Sequence, residues 1–413
     1  MISALDVWSM GEGRGAPTIY RTLKAFNDAG HTVHLVLPSP ARGRASRSPD
    51  GLASLEHVRV HHVPRLLSPK PNRPPHNLAR AWNKLQLAVL FPLLAAWEGR
   101  RILRREKIDV LYGYEVHGVL AASLLRRVKP IPLVTRFQGT ILNQALRSPL
   151  SLARKVDHVI ALKAPADLCM MTDDGTLGDV TLEWLNPSSR QRLRFWRNGI
   201  DLERFRPTSD EEAAAARKSL GIATGVPVVM AVSRLVWWKR QERVVRVWPQ
   251  VMAKRPDAQL VLVGDGEERP RLEEMARALG VDGNVRFAGA VRQDEVLRYL
   301  QAADIFVSVN DLSNAGNPLM EAAACGKAIV TLNNGSTARL VEDGVTGILL
   351  APDDDAALAG AILLLVEDGA QRRRLQEQAR QFALENFWSW EERLAAEVQA
   401  VRQLVPEHSQ QGT

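Results

Sequence analysis

The chain has 413 residues, a hydrophobic fraction of 46%, a formal charge of +8 and a pI near 9.7, which exclude a disordered chain and favour two globular domains of similar size. Its two cysteines, Cys169 and Cys325, are too few for a disulfide framework, so a reducing cytosol is expected. The positive charge calls for an anionic partner; an acidic membrane surface or an anionic substrate fits better than nucleic acid, because the basic residues are not interleaved with aromatics and no zinc spacing or basic zipper occurs.

Met1 runs directly into ISALDVW, a short strand, without the basic stretch and long apolar core of a secretory signal. SMGEGRGAP follows, with glycines at 11, 13 and 15 ahead of a helix beginning near Pro17, a unit compatible with phosphate. The spacing departs from GxGxxG and no acid closes the next strand, HTVHLVLP, so a nicotinamide cofactor is not expected. Residues 41 to 80 are rich in Pro, Arg and Ser around one strand-like island, EHVRVHHV, and read as a surface loop.

From Asn77 to Lys107 the pattern is helical, with Leu78, Trp82, Leu85, Val89, Leu93, Leu94, Trp97 and Ile102 near helical spacing and Pro92 as an expected kink. The stripe is expected to pack on the first domain's sheet, although tryptophans beside a basic end also compose an interfacial membrane helix. Its longest apolar run, Leu85 to Ala96, is too short to span a bilayer. Basic residues cluster at Arg42, Arg44 and Arg47, at Arg100, Arg101, Arg104, Arg105 and Lys107, and at Arg190, Arg192, Arg194 and Arg197; each cluster suits a solvated face or a membrane surface.

Alternating units come next: IDVLYGY, the helix GVLAASLLRRV, the strand IPLVTRF, the loop QGTILN, a helix and the strand HVIAL. Such alternation implies a parallel sheet covered on both faces, with ligands outside the carboxyl ends of its strands. Glu115, His117, Arg136, Gln138 and Gly139 are thereby expected near one cleft. His117 has the chemistry of a general base and equally that of a structural histidine. WRNGIDLERFRP then carries a turn, and the acid- and Ala-rich helix DEEAAAARKSLG marks a domain boundary just ahead of it.

The second half repeats the alternation through PVVMAVSRL, AQLVLVGDG, NVRFAGAV, DIFVSVN, KAIVTLN and GILLAP. Its centre is Ala303 to Gly326, a covered strand, a polar loop and a helix, with Asn317 expected as N-cap and Pro318 at the first helical position. A helix starting there directs amides and a positive dipole end at phosphate. Glu321, one turn in, can accept hydrogen bonds from sugar or ribose hydroxyls, or can serve only as a first-turn acid. Arg234 follows strand AVS and Lys239 lies five residues on; the pair can neutralise a diphosphate and stabilise it as it leaves. Gly264 to Gly266 follow LVLV, where a base or sugar could lie against the backbone, and Ala290 and Val291 follow VRFAG.

NGIDLERFRP, SRLVWWK, LVLVGDGEERPRLEE, VRFAGAV, ADIFVSV, GNPLMEAAACGKAIV, LVEDGVTGILLAPDDDAALAGAI and FWSWEERL, in this order, make residues 198 to 400 resemble a GT-B glycosyltransferase of family 4. The resemblance implies two Rossmann-like domains facing a central cleft, and metal-independent, retaining transfer of a sugar from a nucleotide diphosphate to a lipid, polysaccharide or small-molecule acceptor, with no cofactor. It implies an acceptor domain over 1–197, a nucleotide-sugar domain over 198–387, and a closing helix at about 388–405 that packs back on the first domain; the polar tail PEHSQQGT is expected to be disordered. By the same likeness, Arg234 and Lys239 hold the diphosphate, and Gly15 lies near it. The loop Ser313, Asn314 and Ala315 meets the donor sugar together with the amides of Gly316, Asn317 and Leu319 and the Pro318 carbonyl. Glu321 holds the ribose, Gly264 and Asp265 lie beside the donor, and Ala290 and Val291 meet the base through backbone atoms.

Three positions depart from the family pattern. Ser313 stands where the first of two paired glutamates is expected, with Asp311 or Asn314 as candidate replacements; Gln138 stands where a histidine is common and cannot act as acid or base; NNGSTA replaces a glycine pair and an acid. Electrostatic stabilisation by Arg234, Lys239 and the helix N-terminus does not need the missing groups, so an active enzyme is expected, cytoplasmic or at the inner face of the membrane. The alternatives are a binding scaffold with lost chemistry, a sugar-nucleotide epimerase, and, weakest, a nucleic-acid binder.

Overall fold

The computed structural model describes residues 1–5, 17–40, 50–64, 82–146 and 148–405. Their contacts form two units: Met1–Thr172, Gly178–Arg197 and Glu391–Thr413 make the first, and Asp173–Leu177 with Asn198–Trp390 the second.

In the first unit, β1 (Ile2–Ser3), β2 (Val33–Pro38), β3 (Val58–Val63), β4 (Leu111–Tyr114), β5 (Leu133–Phe137), β6 (Leu168–Thr172) and β7 (Leu193–Trp196) form a parallel sheet in the order β3-β2-β1-β4-β5-β6-β7. Strands β2, β4, β5 and β6 are buried at every position, as expected where helices cover both faces. The run HVIAL is not a strand but part of the helix Val156–Leu162. Asp157, Ala161 and Leu162 are buried there while Ile160 is exposed, a helical rather than alternating pattern. The strand is the following apolar run, LCMMT of β6.

The stripe between Trp82 and Ile102 is also corrected. A π-helical turn, Gln86–Leu90, leads into the helix Phe91–Arg105, which buries Phe91, Pro92, Ala95, Gly99 and Ile102. Trp82, Leu85, Val89, Leu93 and Trp97 are exposed, Leu93 and Trp97 at more than half their surface. The reason is the close approach of the helix Glu115–Val128: a Cβ on Gly99 would stand 2.4 Å from Leu125 Cδ1, so between Pro92 and Ile102 only the small Ala95 and Gly99 fit inward, and Leu93 and Trp97 face out. Leu78, Arg42, Arg44, Arg47 and the chain after 405 lie outside the described residues.

The last helix, Trp390–Arg402, puts Val398 and Val401 into the core formed by Ile19, Leu23, Leu35, Tyr112 and Val134. It also inserts a carboxylate there. Glu397 accepts hydrogen bonds from Tyr112 Oη (2.6 Å), Thr22 Oγ1 (3.3 Å) and Arg393 Nη1 (2.9 Å), and lies 3.8 Å from Arg136 Nε. Burial raises its pKa, but the charges of Arg136 and Arg393 more than offset this and hold the carboxyl below its ordinary value.

In the second unit, β8 (Val228–Val232), β9 (Gln259–Val263), β10 (Val285–Gly289), β11 (Ile305–Ser308), β12 (Ala328–Leu332) and β13 (Ile348–Leu350) form a parallel sheet in the order β10-β9-β8-β11-β12-β13. Both sheets have the doubly wound Rossmann order, with their reversals between β1 and β4 and between β8 and β11. One core centres on Trp248, Leu262, Val307 and Ile362 and another on Met230, Phe306, Met320 and Ile329, so alternate residues of the central strands feed opposite faces. The helix Asp210–Leu220 opens with a capping box between Ser209 and Glu212 and closes on Gly221 in the left-handed region. Burial pushes the thiols up to about 11 for Cys169 and about 12 for Cys325. Among the described residues no helix is long and apolar enough to cross a membrane.

Candidate functional site

A doubly wound sheet opens a crevice where its strand order reverses, outside the carboxyl ends of the two central strands. In the second unit those strands are β8 and β11. From β8 comes Arg234, exposed and lying 5.3 Å over the Trp238 ring, and then the single turn Trp237–Lys239. From β11 comes the loop 309–316. Lys239 reaches across, its Nζ donating to Leu312 O (3.4 Å) and Ser313 O (3.2 Å). Burial lowers its ammonium to about 8, the charge of Asp174 opposing the fall and that of Arg234 adding to it.

The loop's shape is fixed from within. Ser313 is in the left-handed region at φ +59°, a conformation costing a non-glycine residue about 1–2 kcal/mol. Buried Asn314 accepts from Ser308 Oγ (2.6 Å) and donates to Asn334 Oδ1 (3.2 Å), and Asn334 donates to Asn310 O (2.8 Å). Asp311 is ion-paired with Arg240 and Arg243, each at 2.9 Å. Neither Asn314 nor Asp311 is therefore disposed to replace a glutamate at Ser313. Ala315 is buried in the loop's floor.

The helix that follows is Asn317–Ala324, with Gly316 as its N-cap, Asn317 first and Pro318 second, one residue earlier than expected. The Asn317 side chain is engaged elsewhere, accepting from Asn198 Nδ2 (2.9 Å), so it does not cap. Leu319 N donates to Gly316 O (3.1 Å), within the helix. Glu321 is buried on this helix at 5% exposure.

Asp173–Leu177 belongs to this unit although it follows β6 directly. Asp173 accepts from Ser336 Oγ, and the Asp174 carboxylate accepts from Thr176 N (3.2 Å), Thr176 Oγ1 (2.7 Å) and the Ser313 side chain. A Cβ on Gly335 would stand 1.9 Å from Gly175 O, so the glycine of NNGSTA exists for backbone contact with this segment. Gly264 and Gly266 have a similar role: their Cβ positions would fall 1.8 Å from Ser233 O and 2.2 Å from Leu235 O. They pack the β8 and β9 loops on each other. Asp265 Oδ1 accepts from Gly266 N (2.7 Å) and its carboxylate meets Arg269 (3.3 Å). Ala290 is exposed beyond β10 and Val291 half-buried.

In the first unit, Gln138 N donates to Glu115 Oε1 (2.8 Å) and Gln138 Nε2 to Tyr114 Oη (2.5 Å), at the carboxyl ends of β4 and β5. His117 Nε2 lies 3.4 Å from Asp157 Oδ2, and burial lowers its pKa. Arg136 is not at a cleft: it is fully buried under the last helix, donating to Phe137 O (2.8 Å) and Thr172 Oγ1 (2.9 Å). Gly15 lies outside the described residues. Among the described residues no cluster of three or more His, Cys, Asp or Glu could hold a metal ion.

Two family models match: the glycosyl transferase 4-like domain over residues 15–166 and glycosyl transferases group 1 over residues 212–382. The chain belongs to the family 4 glycosyltransferases of the GT-B fold. It is 33% identical over 201 residues to a GDP-mannose-dependent monoacylated alpha-(1-6)-phosphatidylinositol monomannoside mannosyltransferase of Corynebacterium glutamicum, 47% of this chain and 52% of that one. A D-inositol 3-phosphate glycosyltransferase of Corynebacterium urealyticum is 30% identical over 246 residues, 58% of this chain and 57% of its own. The chain thus spans about half the length of these curated relatives. Among solved structures it resembles a sucrose-phosphate synthase of Thermosynechococcus elongatus (TM-score 0.75, 22% identity, 98% of both chains). It also resembles Anabaena HepE in complex with UDP-glucose (TM-score 0.71, 21% identity, 97% of this chain and 98% of that one).

Within this glycosyltransferase fold, sequence reasoning missed Asp174. The signal was present as TDDGT, a polar turn with two acids directly after an apolar run. With HVIAL taken as the strand, that turn was not seen as a strand end.

Proposed function

We propose that the chain transfers a sugar, with retention and without a metal, from a nucleotide diphosphate to a lipid, polysaccharide or small-molecule acceptor. The observation that carries this reading is the pair Arg234 and Lys239 at the β8–β11 crevice, opposite the N-terminus of the helix Asn317–Ala324. Two cations there stabilise charge as it develops on the leaving diphosphate, and a helix N-terminus adds a third positive field. Glu321 accepts from ribose hydroxyls, the amides of Gly316 and Asn317 meet the donor sugar, and Ala290 and Val291 meet the base. The leaving phosphate, on the face the acceptor enters, takes the acceptor's proton, so Gln138 need only position a hydroxyl.

The acceptor is proposed to be reached at an anionic bilayer. The exposed face of the first unit's long helix runs from Leu93 and Trp97 to Arg100, Arg101, Arg104 and Arg105, with Arg101 5.0 Å from the Trp97 ring. An apolar half followed by a basic half suits acyl chains beside anionic headgroups.

A thermal-shift screen of nucleotide sugars on the purified chain, followed by product analysis with EDTA present, tests the transfer reading. Donor binding without product would support the scaffold alternative, and product that is lost with EDTA would remove metal independence. Flotation with phosphatidylglycerol vesicles tests the surface: Trp97→Glu should abolish binding, and equal flotation of variant and wild type would refute it.

A further inference from the structure

Asp174 is far in sequence from Lys239 and Ser313, yet the three meet at the crevice. Lys239 donates to the main chain of Leu312 and Ser313, Asp174 accepts from the Ser313 side chain, and no charge is carried by Ser313 itself. The segment that brings Asp174 there is tightly built. Gly175, at φ +95°, has no room for a Cβ against Ala315 N (2.8 Å) and Asn314 N (3.1 Å), and Thr176 turns back onto the Asp174 carboxylate with both its amide and its hydroxyl. Asp173 is held by Ser336 and lies 3.9 Å from Arg339 Nη1. The Asp174 carboxylate is thus fixed on the loop that Lys239 grips.

We propose that Asp174 is a positioning residue for the transfer: it seats the Ser313 loop whose main chain Lys239 grips, a carboxylate supplied from outside the loop. This rests on the reading of Lys239 as a diphosphate ligand, but the coupling of Asp174 to Lys239 can be measured without a substrate. Two charged groups and burial act on the Lys239 ammonium. Asp174 favours the charged ammonium, Arg234 disfavours it, and burial disfavours it most. Asp174 itself is shifted upward by burial, against the hydrogen bonds of Thr176 and Ser313 and the charge of Lys239.

Trace acetylation of the full chain with acetic anhydride across pH, read at Lys239 by mass spectrometry, reports its protonation directly. In the wild type the midpoint is expected near 8. In Asp174→Asn it should fall by about one unit or more, and in Asp174→Glu it should return toward the wild type. A midpoint unchanged in folded Asp174→Asn overturns the proposal. So does a wild-type midpoint at the ordinary lysine value of 10.5, a result that needs no variant to fold. With a donor identified, the alkaline limb of kcat/KM should move with the labelling midpoint, and kcat should fall more than KM rises. If the labelling shift is found while every nucleotide sugar leaves the chain inert, the transfer reading fails and the Asp174–Lys239 coupling stands.

Discussion

Replacing Glu397 by Gln leaves Arg136 and Arg393 without the carboxylate between them. Both guanidiniums and the carboxylate are at most 2% exposed, and Arg136 Nε and Nη2 have no hydrogen-bond partner, so Glu397 meets Arg136 by charge alone. At 3.8 Å and an effective dielectric constant of 20 that attraction is about 4 kcal/mol. Removing one member of a buried ion pair costs about 3–5 kcal/mol, a large part of a domain's stability of about 5–15 kcal/mol. Arg136→Met should cost less, below about 2 kcal/mol, because it leaves Arg393 and Glu397 balanced, and the lost attraction to Glu397 and the lost bonds to Phe137 O and Thr172 Oγ1 are offset by no longer burying a guanidinium. Hydrogen–deuterium exchange of peptides from Trp390–Arg402 and β5 is the suitable assay, since two units need not unfold as one. Equal protection in Glu397→Gln and wild type, or a larger loss in Arg136→Met, would refute the reasoning. Because the Glu397 carboxyl is held below its ordinary value of 4.5, its contribution is complete above that pH and is lost as pH falls through the lower, folded-state value.

Lys239→Ala should reduce donor hydrolysis or transfer by at least about 100-fold while the melting temperature stays close to the wild type, as removal of a single charge-stabilising donor does elsewhere; equal turnover numbers would remove Lys239 from the mechanism. The limb of kcat/KM that reports the free enzyme should decline as pH rises through about 8, where Lys239 loses its proton, and a profile flat to pH 10 would contradict this. Gly335→Ala, at φ +56° with a Cβ 1.9 Å from Gly175 O, should destabilise the second unit by at least about 1–3 kcal/mol in urea melts, whereas Gly283→Ala, with open space around it, should be nearly silent.

Much of the second unit could be read in the chain because its strands are β-branched runs bounded by turns, and Ile305–Ser308 with the helix Asn317–Ala324 fell within a residue of expectation. The helix start slipped because Asn317 has both the chemistry of a cap and a long-range partner, Asn198, which sequence spacing does not reveal. The stripe of Trp82 to Trp97 was assigned inward because hydrophobic periodicity weighs bulk. Ala95 and Gly99 face the core precisely through their lack of bulk, and that preference depends on the neighbouring helix. Charge meetings across the chain were equally hidden: Arg393 and Glu397 are visibly four residues apart on one helix, but that Arg136 completes them is a property of the sheet. At the crevice, Arg234 and Lys239 were legible from strand-end position, and Asp174 was not.

The two deeply buried thiols have a practical consequence. With Cys169 raised to about 11 and Cys325 to about 12, the native chain should be almost inert to maleimides at neutral pH. A cysteine introduced at Trp97 would then be the single reactive handle, without prior removal of the natural ones. An environment-sensitive fluorophore attached there would report on lipid contact in the otherwise unaltered protein, and reduction or oxidation of the buffer should leave its signal unchanged.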